Sequence, residues 1–242
     1  MESADSLLMR ALDGLGPKAS YAESARRKGL YSQEMSNAVA LALSEAFRQR
    51  GMRETSPAPS GAPGAGAERR MAGGIGAKKV DVTWATEECG LILGASVKTI
   101  NWRDRRSGTF QKNLTNRRGD LLFESVTLHR RFPYAVLLGF LFLDAGAASD
   151  DTDGRDSTFA NAHHRLRLFT GRDDPGDREE QYEHLFVVLV NADPGGSTFA
   201  CHRVGEPDVP VSLDGAVTEA VDLVADRNPD FYDARDGRLV RR

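Results

Sequence analysis

The sequence predicts an α/β fold in which a mixed central sheet is flanked by helices. Three observations carry this. Two apolar runs, "YAVLLGFLFLD" and "EHLFVVLVNAD", show no alternation, as expected of strands covered on both faces. Segments with helical spacing precede, separate and follow them. Finally, "KKVDVTWAT" and "GLILGASVKTINW" are strand-like stretches joined by the short "EECG", which reads as a hairpin. The order helix, hairpin, helix, strand, helix, strand, helix belongs to a layered α/β protein.

In "YSQEMSNAVALALSEAFRQRG" Met35, Val39, Ala42, Leu43, Ala46 and Phe47 recur at helical spacing, and Gly51 is the stop. From Met52 to about Ala77 the chain turns to Pro, Gly, Ala and Ser, a composition too poor in apolar surface to offset its ordering entropy. A mobile loop is expected there. In the first hairpin strand Val80, Val82 and Trp84 share one face while Asp81 and Thr83 share the other. After the hairpin, Leu121, Leu122, Val126 and Leu128 mark a helix from Leu114 to about Arg131, ended by Pro133. A further helix is expected around Asn161 to Phe169, a short strand at "CHRVG", and an amphipathic helix in "LDGAVTEAVDLVADRNP".

At 242 residues the chain suffices for a single domain: a helical segment over 1–51, the loop over 52–77 and an α/β core over 78–242. A hydrophobic content of 40%, a charged content of 28% and a net charge of -3 exclude a disordered or uniformly basic protein. A polyanionic partner must therefore meet a local patch. Cys89 and Cys201 are too few for a disulfide framework or a metal knuckle. The longest apolar stretch is that of "YAVLLGFLFL", and "MESADSLLMRALDGLG" has no basic region followed by an apolar one, so a cytoplasmic protein is expected.

The polar pair Ser96 and Lys98 stands out in "GLILGASVKTINW". Residues two apart on a strand share a face, so these two point one way while Leu93, Ala95 and Val97 point the other. Asp81 on the neighbouring strand can converge on them, since paired strands lie about 5 Å apart. Phosphodiester hydrolysis needs a hard cation held by carboxylates and an ammonium to orient water or stabilise developing charge. Aspartate and lysine supply half of that set. Lys98 also has a plainer reading, an edge-strand lysine that blocks aggregation.

The stretch "KKVDVTWATEECGLILGASVKTINW", followed by a helix and an apolar strand, resembles the PD-(D/E)xK nuclease superfamily over roughly residues 78 to 145. The resemblance implies a restriction-endonuclease-like mixed central sheet flanked by helices, with an Asp on one hairpin strand and (D/E)-x-K on the next. Here Val80 precedes Asp81, where the signature has proline, and Ser96 holds the first position of the triplet. Some restriction enzymes of the superfamily show this S-x-K version with a glutamate supplied by the following helix. That implies Glu124, at the edge of its helix's apolar stripe; the first helix offers Glu34 or Glu45 instead, and Asp120 is a weaker candidate. The implied roles are Asp81 as ligand of Mg2+, one of Glu124, Glu34 and Glu45 as second ligand, Lys98 as the water-orienting cation, and Ser96 as a hydrogen-bonding stand-in.

The loop "NWRDRRSGTFQKNLTNRR" sets Arg103, Arg105, Arg106, Lys112, Arg117 and Arg118 against one acid, Asp104, which suits contacts to a phosphate backbone. His129, His163 and His164 lack neighbours at ligand spacing and are expected on helix surfaces. "DDTDGRD" lacks the final glutamate of a calcium loop and is expected to be solvated. "MAGGIGAKK" is followed by a strand where a phosphate loop needs a helix. Together these expectations describe a Mg-dependent DNA endonuclease in bacterial restriction, genome defence or DNA processing, working as a homodimer. The alternatives are a catalytically silent nucleic-acid-binding module of the same fold, or a regulatory subunit of a defence complex.

Overall fold

A computed structural model describes residues 1–59, 61, 62, 69–152 and 154–242. Two helices come first, α1 (Ala4–Asp13) and α2 (Ala25–Gln49), each opened by a serine whose side chain accepts a backbone N–H of the first turn. A small antiparallel hairpin follows, β1 (Arg69–Ala72) and β2 (Ala77–Val80). The main sheet then starts with β3 (Val82–Thr86) and β4 (Gly90–Ile100). It continues through α3 (Leu114–His129), β5 (Val136–Asp144), α4 (Thr158–Leu166) and β6 (His184–Asn191). The chain closes with β7 (Thr198–Arg203), β8 (Pro210–Val211), α5 (Leu213–Arg227) and a hairpin of β9 (Tyr232–Arg235) and β10 (Arg238–Arg241).

The sheet is mixed and six-stranded, in the order β3-β4-β5-β6-β7-β8. β4, β5 and β6 run parallel, linked through α3 and α4, while β3, β7 and β8 add antiparallel neighbours. Successive side chains of β5 divide between two cores. Val136, Leu138, Phe140 and Phe142 meet α1, α2 and α5, whereas Leu137, Leu141 and Leu143 meet α3 and α4. From Leu93 onward β4 divides the same way: Leu93, Ala95 and Val97 enter the first core and Ile100 the second. A bulge opposite Trp84 and Ala85 reverses the pattern before it, with Ile92 in the first core and Leu91 in the second. Ser96 and Lys98 therefore face α3.

Several expectations need correction. "KKVDVTWAT" is two strands, not one. Asp81 is a bend between β2 and β3, and the chain rotates there, so Val80 packs in the α3 core while Val82 and Trp84 pack under α2 and α5. The stretch expected to be a mobile loop contains β1, and Ser56 bridges Thr83 beside β3. The hairpin lies on α3: Gly74 N donates to Thr127 O at 2.8 Å, and a Cβ on Gly73 would come within 2.3 Å of the Thr127 methyl. Residues 60 and 63–68 of that stretch are outside the described residues. The acid-rich insertion is not simply solvated, because Asp150 is buried and accepts from Phe110 N and from both the N–H and hydroxyl of Thr158. His129 and His163 are core residues rather than surface ones. Among the described residues no helix is long and apolar enough to cross a membrane.

Candidate active site

The break at Asp81 is held by its own carboxylate. The β3–β4 ladder starts at Val82 opposite Ala95, and one step further the Val97 N–H donates to Asp81 Oδ2 at 2.7 Å in place of a backbone carbonyl. This fixes the aspartate beside the S-x-K triplet. From the other side α3 delivers Glu124, buried at 5% exposure at the foot of the helix's apolar stripe. Ser96 Oγ donates to Glu124 Oε2 at 2.6 Å, and Lys98 Nζ donates to Oε1 at 2.9 Å. The same ammonium lies 3.6 Å from Asp81 Oδ2, and Lys78 Nζ lies 3.8 Å from Glu124 Oε1. Tyr182, fully buried, donates to Leu121 O at 3.0 Å and reaches Ser96 Oγ at 3.4 Å. Gly139, opposite Ser96 on β5, leaves room for this packing, since a Cβ there would overlap Leu185 at 2.2 Å.

The three charged groups share one void. Asp81, Lys98 and Glu124 line a cavity of about 1220 Å³. Their side chains are 17%, 12% and 7% exposed, which places them at its base rather than its mouth. Basic groups outnumber acidic ones on the walls. Burial alone would lower the Lys98 pKa, but the Glu124 and Asp81 charges and the Glu124 hydrogen bond outweigh it and hold the ammonium above the usual lysine value. Burial also lifts the Tyr182 phenol far above its ordinary range, so it stays a neutral donor.

The other expected site residues divide. Arg103, Arg105, Lys112 and Arg117 line the cavity, as does Asp120, which pairs with Arg117 at 3.2 Å; Arg106 and Arg118 are not on its walls. Asp104 is tied into its own loop: hydrogen bonds from Lys112 and from the Ser107 and Arg106 N–H groups bring its pKa down to about 2. Glu34 and Glu45 do not reach the cluster. α2 presents Ser32, Gln33 and Ser36 to the cavity instead, Glu34 is exposed, and Glu45 bonds Arg48 and Gln49 within its own helix. Sequence reasoning missed Lys78, Lys79, Lys28 and Tyr21, all of which line the cavity. The "KK" just before Asp81 was a visible signal, while Tyr21 and Lys28 are brought in only by tertiary packing.

The donor set fits a hard cation. Magnesium is commonly held by one or two carboxylates, with waters and substrate phosphates completing an octahedron. Asp81 and Glu124 are two carboxylates bridged by the Lys98 ammonium. Among the described residues there is no cluster of three or more His, Cys, Asp or Glu that could hold a metal ion, so a cation here would rest on these two carboxylates, water and substrate oxygens. No family model, curated protein or solved structure matches the chain. The chain is thus defined by its geometry: an α/β protein with a six-stranded mixed sheet, beside which β2, β4, α3 and the start of α2 line a charged recess.

Proposed function

We propose that the protein is a Mg2+-dependent endonuclease that hydrolyses DNA phosphodiester bonds, a restriction-endonuclease-like enzyme of the S-x-K kind. The observation that carries this reading is Glu124, which comes from α3 to meet both Ser96 and Lys98 at the base of a basic cavity. Asp81 and Glu124 would hold the cation, with Val97 N–H and Ser96 Oγ–H orienting their oxygens. Bound there, the cation would neutralise phosphate charge and lower the pKa of a bound water. Lys98 orients the attacking water and stabilises charge on the phosphoryl oxygens as the new P–O bond forms and the bond to the leaving oxygen breaks. Its raised pKa keeps it cationic at neutral pH, so it acts as an electrostatic group and not as a base. Arg103, Arg105, Lys112 and Arg117 contact the backbone on either side. Cutting both strands calls for two copies, hence a homodimer, acting in genome defence or DNA processing in the cytoplasm.

The test is a plasmid nicking assay. With MgCl2 the protein should relax supercoiled plasmid, and Lys98→Ala should lower the rate by about 100-fold or more, as for loss of a preorganised charge. A second reading has an observation of its own. Lys98 already pairs with both carboxylates and Lys78 lies beside Glu124, an arrangement equally suited to a silent nucleic-acid-binding module or a regulatory subunit of a defence complex. Retardation of DNA in a gel with no nicking under any divalent cation would favour that reading and end the first.

A further inference from the structure

Part of the cavity rim is aromatic, and neither a cation site nor a phosphate contact needs that. Tyr21 lines the cavity and keeps 42% exposure, a large value for an aromatic ring beside a recess. Two cations attend its ring: Lys28 Nζ at 5.0 Å and the Arg105 guanidinium carbon at 5.3 Å from the centroid. The segment that carries it is anchored, because Trp102 Nε1 donates to Ala19 O at 3.1 Å and Lys28 Nζ donates to Tyr21 O at 2.9 Å. Lys28 belongs to α2 and Arg105 to the loop after β4, so cations from two elements of the cavity wall meet at this ring.

An aromatic face set among cations above a recessed charge cluster is the pattern of a single-strand site. Successive bases of a single strand stack on such rings, while the surrounding cations track the backbone. A duplex hides its base faces within the stack and is stiff, with a persistence length of about 150 bp. The recess, about 1220 Å³, exceeds the roughly 300–1,000 Å³ of pockets for drug-sized ligands, so it has room for a short stretch of strand. Lys98, 12% exposed at the base, is reached more readily by a flexible single strand than by a stiff duplex.

We propose that the cavity takes single-stranded or strand-separated DNA and that Tyr21 is the residue on which a base stacks at its mouth. This rests on the reading of the cavity as a DNA site but not on its cutting. The test is therefore made in EDTA, by fluorescence anisotropy with a short labelled oligothymidylate and with a blunt duplex of the same length. The single strand should bind tighter than the duplex. Tyr21→Ala should weaken single-strand binding by about tenfold, the loss of one base stack. Tyr21→Phe should restore it and leave the melting temperature unchanged. Equal or tighter binding of the duplex, or a Tyr21→Ala protein that binds the single strand like wild type, would overturn the proposal. Loss of nicking in Lys98→Ala with single-strand binding retained separates this result from the fate of the nuclease reading.

Discussion

Two buried glutamates, Glu124 at 5% exposure and Glu183 at 1%, hold cations beside the same sheet, and their partners differ in kind. Glu183 Oε1 accepts from Arg172 at 3.1 Å and from Arg227, while Oε2 accepts from Leu137 N and lies 3.4 Å from His129 Nε2. The arginines continue outward to backbone carbonyls, Arg172 to Pro133 and Pro175, Arg227 to Ala135 and Arg172. Every oxygen of that carboxylate is used, and the tie joins the ends of α3 and α5 to the entries of β5 and β6. Glu124 instead meets a serine and two lysines, whose single ammonium heads can turn to another anion, and it opens onto a cavity. The sealed cluster has the chemistry of a structural tie and the open one that of a site.

Exchanging the two glutamates for glutamine tests this contrast. Glu183→Gln leaves two guanidinium groups buried without a counter-charge and should cost about 3–5 kcal/mol in denaturant unfolding. Glu124→Gln keeps an acceptor for Ser96 and leaves Lys98 beside Asp81, so its cost should be about 1 kcal/mol. Plasmid nicking by that variant should nevertheless fall about 100-fold. A Glu124→Gln protein less stable than Glu183→Gln would reverse the assignment of the two clusters.

The open cluster was largely legible in the sequence and the sealed one was not. Ser96 and Lys98 could be placed because β4 alternates, so a polar pair in an apolar run must share a face. Glu124 could be placed because it interrupts the edge of a helical stripe. The bend at Asp81 was hidden, since V-D-V-T-W continues the alternation and the break comes from the aspartate's own bond to Val97. Glu34 and Glu45 were misplaced because a helix of 25 residues turns different faces to different neighbours along its length. Residues of the sealed cluster come from four distant stretches, and no local period links them. β1 escaped because its support is tertiary, from Thr127 and Arg130 of the α3 end. The closing hairpin did carry a local signal: Asp236 and Gly237 both have positive φ, 51° and 67°, the two-residue turn that Asp-Gly favours.

The smallest effect should come from pH, and it separates the clusters by sign. Lys98 is held above an ordinary lysine value of about 10.4, so its stabilisation is complete below that value and is lost as pH rises through the folded pKa. Burial pushes Glu183 up, yet the His129 ring and Arg227 outweigh it and leave the carboxyl below its usual value of about 4.3. Its contribution is present above that value and is lost as pH falls through the folded pKa. Thermal melts across pH should therefore show an alkaline decline that Lys98→Met makes shallower, with the raised Tyr31, Tyr182, Cys201 and Tyr232 supplying the remainder. They should also show an acid decline, shared with Asp104 and Asp214, that Glu183→Gln makes shallower and Lys98→Met leaves alone. An alkaline limb unchanged in Lys98→Met would mean that the ammonium is not held by the two carboxylates in solution, and the likeness of the open cluster to a cation site would go with it.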